Sequence, residues 1–218
     1  MESRLFVIPT RMEAEPFIRQ CGFEPDSEEG LYKIPGTGNN LLIAGIGIVP
    51  VVFNLTRHFA SKRYSRVIHG GIAGSYFLPL QPGEVVQVTR DTFADVGIDH
   101  AGVFRWVFHE GLWAPDQHPF KSGWMEVEPD ETLGIESVSS ITVDLVTAGP
   151  ERKARMIEKF NPQVESMEGA AVFYVCMRES IPVIQLRAIS NYTGIRDRKS
   201  WKVEEAVDAL TKQLIKLL

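Results

Sequence analysis

Three short stretches carry residues suited to chemistry on a hydroxyl-rich ligand. "RMEAE" places Glu13 and Glu15 just past the first apolar run. A carboxylate there could take a proton from water, although two acids in a helix's first turn also suit the helix dipole and solvent. "VESMEGAAVFYVC" sets Met167 and Glu168 immediately before small and apolar helix residues. That acid gains from the dipole, and it is equally placed to grip two neighbouring hydroxyls, as on a ribose. "LRAISNYTG" ends a buried strand on Ser190 and Asn191. An amide cannot give up a proton, but it donates and accepts hydrogen bonds at once.

The glycine-rich runs are less specific. "HGGIAGSY", with Ile72, Ala73 and Gly74, reads as a turn at a strand end. Its glycines allow backbone N–H groups to approach a ligand closely, or simply allow a tight turn. It is neither a dinucleotide fingerprint nor a P-loop. The lone GxG of "AGIGIV" favours close helix–strand packing. His58, His69, His100, His109 and His118 show no HExxH or other short ligand spacing, and Asp95, Asp99 and His100 read as a polar loop. No metal and no cofactor is expected.

The elements that must position these groups follow from periodicity. Strands are predicted up to Pro9, through "NLLIAGIGIV", "RVIHGGIAGSY", "GEVVQVTRDTFADVG", "SSITVDLVTAG" and "IPVIQLRAIS". Helices are predicted from "TRMEAEPFIRQ", from Val51 to Phe59, from "PERKARMIEKF", from "MEGAAVFYVCMRES" and at the C-terminus. In the last, Val203, Val207, Leu210, Leu214 and Leu217 recur at spacings of three and four. Strands alternating with helices predict a three-layer α/β fold, and the 218 residues suit one domain, 1–218. Asp99 to Glu136, rich in Trp, His, Gly and Pro, fits the alternation least and reads as loops and irregular strands at a subunit contact.

Composition narrows the partners. Net charge is −5 with no basic block, so a large nucleic-acid footprint is not expected. No apolar run approaches the ~20 residues that span a bilayer, and the N-terminus lacks a signal-peptide pattern. Cys21 and Cys176 read as thiols buried in a reducing cytoplasm.

Taken together, "PTRMEAEP", "AGIGIVPVVFNL", "HGGIAGS", "DTFADVG", "VESMEGAAVFYVC" and "LRAISN" resemble, in order along nearly the whole chain, the nucleoside phosphorylase/hydrolase superfamily. The Met-Glu helix start and the "RAIS" strand end are the specific parts. Bacterial methylthioadenosine/S-adenosylhomocysteine nucleosidases are similar, but their last strand ends in Ser-Asp. "ESMEGAAVFYVC" and "RAISNYTGIRDRKSWKVEEAV" are closer to the futalosine hydrolases of the alternative menaquinone pathway.

The resemblance implies a twisted mixed central sheet flanked by helices, a homo-oligomer, and N-glycosidic cleavage of a purine nucleoside without a cofactor. It implies that Glu15 activates water, that Met167 and Glu168 hold the ribose, and that Ile72, Ala73 and Gly74 lie over the sugar. Ser190 supports Asn191, which stands where the nucleosidases have Asp at the purine N7. Trp201 falls where the family places an aromatic of the C-terminal helix beside the pocket. An amide suits a 6-oxopurine, since it donates to O6 and accepts from a protonated N7. The implied reaction is therefore release of hypoxanthine from futalosine. The alternatives are a methylthioadenosine/S-adenosylhomocysteine or aminodeoxyfutalosine nucleosidase, a 6-oxopurine nucleoside phosphorylase, and a non-catalytic nucleoside-binding protein. Arg196, Arg198 and Lys199 are the nearest cations in sequence for an acidic 5′ substituent.

Overall fold

In a computed structural model, residues 3–195 and 197–218 are described, Arg198 by its backbone alone. The strands are β1 (Arg4–Ile8), β2 (Glu24–Pro25), β3 (Leu31–Lys33), β4 (Asn40–Ile43), β5 (Arg66–Ser75), β6 (Val85–Asp91), β7 (Gly97–His100), β8 (Val103–Trp106), β9 (Met125–Glu126), β10 (Ser137–Thr142), β11 (Val164–Ser166) and β12 (Val183–Tyr192). The helices are α1 (Arg11–Cys21), α2 (Ile48–Phe59), α3 (Pro150–Phe160), α4 (Gly169–Arg178) and α5 (Val203–Ile215).

The main sheet is mixed and runs β2-β3-β4-β1-β5-β12-β6-β10-β11, with β9 against β6. Side chains alternate across it with the two-residue period of extended chain. Leu5 and Val7 face a core shared with Val51, Leu55, Ala170 and Phe173 of α2 and α4. Phe6 and Ile8 face a second core with Phe17, Leu210 and Leu214 of α1 and α5. These are the expected three layers, and Leu210 and Leu214 of the three-and-four spacing in α5 enter the second core.

β5 decides where a site forms. Its first half pairs with β1, its last residues pair with β11, and β12 runs beside it along nearly its whole length. β5, β12, β6, β10 and β11 therefore close on themselves. The glycines of "HGGIAGS" lie within this strand, where a terminal turn was predicted. The reason is lateral crowding. An added Cβ on Gly71 would stand 2.3 Å from Arg187 Nη1 of β12, so the bare backbone makes room for a neighbouring side chain.

Asp99–Glu136 contains the end of the β7/β8 hairpin, β9 and long loops. Trp106, Phe108 and Trp124 from this segment pack with Ile141 and Phe160 in a separate aromatic cluster. No helix among the described residues is long and apolar enough to cross a membrane.

Candidate active site

A cavity of about 390 Å³ opens at the ends of β1, β5, β11 and β12. Its wall includes Ile72, Ala73, Gly74, Met167, Glu168, Ser190, Asn191 and Trp201, so the structure gathers eight of the nine residues expected from sequence. Glu15 is the exception.

Glu15 projects from the outer face of α1, where it pairs with Arg11 (2.5 Å) and Arg19 (2.6 Å). Those two guanidinium groups hold its carboxyl below the usual range. Glu13, two residues earlier and only 4% exposed, is the α1 acid in the cavity wall. The physical reason is helical phase. Glu13, Ala14, Phe17 and Ile18 form the buried face of α1, while Arg11, Glu15 and Arg19 form an i,i+4 ladder on the other. Thr10 caps the helix by accepting from the Glu13 N–H at 3.2 Å, and its hydroxyl donates to Glu13 Oε2. Glu13 Oε1 accepts the Ile72 N–H at 3.0 Å, which ties the carboxylate to β5.

Glu168 stands at the N-cap position of α4 without a side-chain capping bond, and is buried. Its Oε1 accepts the Gly47 N–H at 3.1 Å, and its Oε2 lies 3.7 Å from Arg187 Nη1. Gly47 reaches this position at φ +87°, which a side chain would strain. Gly45 serves packing, as expected, since an added Cβ would stand 2.7 Å from the Pro50 side chain. Burial raises the Glu168 carboxyl above its ordinary range, Arg187 and the Gly47 N–H oppose that rise, and Glu13 adds to it.

Beneath these acids Arg187 is fully buried. Its Nη2 donates to His69 Nε2, and His69 Nδ1 donates to the Val7 carbonyl at 2.9 Å, which settles the imidazole tautomer. Burial and the neighbouring guanidinium keep His69 neutral, well below its ordinary range. Asp91, further in, accepts from Thr92 N–H, Thr142 and Gln185, and burial pushes it up to about 6. Sequence reasoning missed both Arg187 and His69, because what engages them comes from strands far apart in the chain.

At the other side of the cavity the β5–β12 register slips between Ile189 and Asn191, leaving Ser190 as an extra residue. Such a bulge re-aims the side chains that follow it. The Asn191 NH₂ donates to the Tyr192 carbonyl at 3.1 Å, which orients the amide, and Ser190 Oγ donates to Asn191 Oδ1 at 2.8 Å. One N–H and one lone pair of the amide stay beyond those bonds. Trp201 precedes α5 rather than lying on it, and its Nε1 is buried without a partner among the described residues. Thr147 and Glu165 also line the wall, and sequence reasoning did not single them out. Arg196 and the Arg198 side chain lie outside the described residues, and Lys199 is exposed.

Residues 27–218 match the phosphorylase superfamily. The futalosine hydrolase of Thermus thermophilus is 30% identical, with 98% of this chain and 94% of that one covered. A 5′-methylthioadenosine/S-adenosylhomocysteine nucleosidase of Bacillus cereus is 28% identical over 82% of this chain and 79% of that one. Among solved structures, a futalosine hydrolase mutant of Helicobacter pylori superposes with a TM-score of 0.81 at 20% identity, covering all of both chains. A 5′-methylthioadenosine/S-adenosylhomocysteine nucleosidase of the same organism superposes at 0.83 and 19% identity, covering 100% of this chain and 97% of that one. These two share the fold.

Proposed function

The chain belongs to the phosphorylase superfamily, and from that premise we propose that it is an N-glycosidase that hydrolyses futalosine to hypoxanthine and dehypoxanthine futalosine. The observation that carries the base assignment is Asn191 in the cavity wall, its amide oriented and half unused. Cleavage of an N-glycosidic bond leaves positive charge on the sugar and negative charge on the departing base, and both must be stabilised as they separate. Asn191 serves the base: its spare N–H donates to O6 and its spare lone pair accepts from the N7–H once N7 has taken a proton from solvent water, since the amide itself supplies none. Glu168 accepts the ribose hydroxyls and favours the cationic sugar. Arg187 helps to keep it charged. Met167, Ile72, Ala73 and Trp201 enclose the sugar and base. Glu13 takes the proton of the attacking water, the role that sequence alone assigned to Glu15.

Water rather than phosphate as the acceptor is supported by the wall itself. Glu13, Glu165 and Glu168 line the cavity, and no Lys, Arg or His does so among the described residues. A phosphate dianion would meet carboxylates there without a facing cation. Ile46, Val49 and Phe53 stand 57%, 73% and 62% exposed beside the cavity and on α2. We take this apolar surface to support a homo-oligomer. The whole chain 1–218 acts as one nucleoside-cleaving unit, placed in a cytoplasmic route to menaquinone. Incubation with futalosine, aminodeoxyfutalosine, methylthioadenosine and inosine, with and without phosphate, tests the reading. Hypoxanthine released from futalosine independently of phosphate is expected. Adenine release in preference, or a requirement for phosphate, would overturn it.

A further inference from the structure

Glu165 is a third carboxylate in the cavity wall, 6% exposed and without a part in the reaction described above. Thr147 N–H donates to its Oε1 at 2.9 Å, and the hydroxyls of Thr147 and Tyr76 donate to its Oε2, the latter at 2.6 Å. Oε2 is thereby filled, while Oε1 keeps a lone pair. Thr147 lines the same cavity, and its backbone N–H is taken up by Glu165. This part of the wall presents an acceptor instead.

The sheet fixes where that acceptor stands. Gly74 of β5 is paired with Glu165 of β11 on one side and with Asn191 of β12 on the other. Residues paired across a ladder project to the same face. The carboxylate and the amide therefore flank a glycine that puts nothing between them. Strand spacing sets their Cα atoms about 10 Å apart, an interval that two side chains and a planar base between them fill. The gap depends on the glycine, because a Cβ on Gly74 would come within 3.0 Å of Thr193 Cγ2 and 3.4 Å of Asn191 Nδ2.

We propose that Glu165 is a specificity-determining residue that accepts the N1–H of a 6-oxopurine through Oε1, while Asn191 holds the O6 and N7 edge. The inference rests on the 6-oxopurine reading of the site. A 6-aminopurine carries a lone pair at N1, which would meet the carboxylate oxygen with no proton between them.

The test is binding of free bases by titration calorimetry, which needs no turnover. The unaltered protein should bind hypoxanthine about tenfold or more tighter than 1-methylhypoxanthine and than adenine. In Glu165→Gln the amide N–H can face the N1 lone pair, so the hypoxanthine-to-adenine affinity ratio should fall about tenfold or more. If both bases weaken alike, Glu165 only braces the Thr147 loop and the proposal fails. Equal affinity of the unaltered protein for hypoxanthine and 1-methylhypoxanthine would overturn it as well, and that measurement decides alone if the variant does not fold. Failure of the futalosine reading shows separately, as absence of hypoxanthine release from the nucleoside.

Discussion

Exchanging the two acids of α1, one at a time, separates the helical phase seen in the structure from the alignment suggested by sequence. In Glu13→Gln the side-chain carbonyl still accepts the Ile72 N–H, and the new NH₂ can donate to Thr10 Oγ, which has a lone pair for it. The fold should therefore survive, with a midpoint of thermal unfolding close to that of the parent. What is lost is the proton acceptor. General-base catalysis is typically worth about 10²–10⁴ in rate, or about 3–5 kcal/mol in the barrier. Hypoxanthine release from futalosine should fall by that factor, while calorimetric affinity for hypoxanthine stays within about threefold, because the base does not need Glu13. Glu15→Gln breaks only exposed pairs with Arg11 and Arg19, so its turnover should stay within roughly twofold of the parent. A slow Glu15→Gln variant beside an active Glu13→Gln variant would refute the assignment.

Further outcomes follow from the same geometry. Glu168→Gln should retain the fold and lose on the order of 10² or more in kcat, because an amide cannot offset the cationic sugar; activity within a few-fold would remove Glu168 from the reaction. Asn191→Asp should lose 6-oxopurine substrates about tenfold or more in kcat/KM and gain relatively on 6-aminopurines, at ~1–3 kcal/mol per mispaired group; an unchanged ratio would mean that the amide does not touch the base. The acid limb of kcat/KM should lie above the ordinary carboxylate range, since Glu168 must be ionised and burial has raised it; a limb at ordinary carboxylate pH would contradict this. Asp91, raised from 3.8 to about 6, keeps its proton in the folded chain after the unfolded chain has released it, so its contribution to stability falls as pH rises across that window. Asp91→Asn should flatten this part of the urea-unfolding profile, and identical slopes in both proteins would sink the idea.

The layers were legible in the sequence because they depend on local periodicity. The unbroken apolar run Leu5–Ile8 marks a strand buried on both faces, and the three-and-four spacing of α5 states which side of that helix is buried, before any partner is known. The Met167-Glu168 helix start and the Ser190-Asn191 strand end were legible for the same reason, as neighbours in sequence that sit where an element begins or stops. The phase of α1 was legible too, although the resemblance aligned the water-activating role on Glu15. Arg11, Glu15 and Arg19 spaced by four mark a solvent face, and Thr10 with Glu13 matches a capping box. Other features arose only when distant strands met. Gly74 pairs with Glu165 some ninety residues away and with Asn191 beyond it, and nothing local to the glycine announces either neighbour. The contact of Arg187 with His69 and the bulge at Ser190 are likewise products of register. Periodicity tells a residue which face it occupies, but only strand pairing tells it what stands opposite.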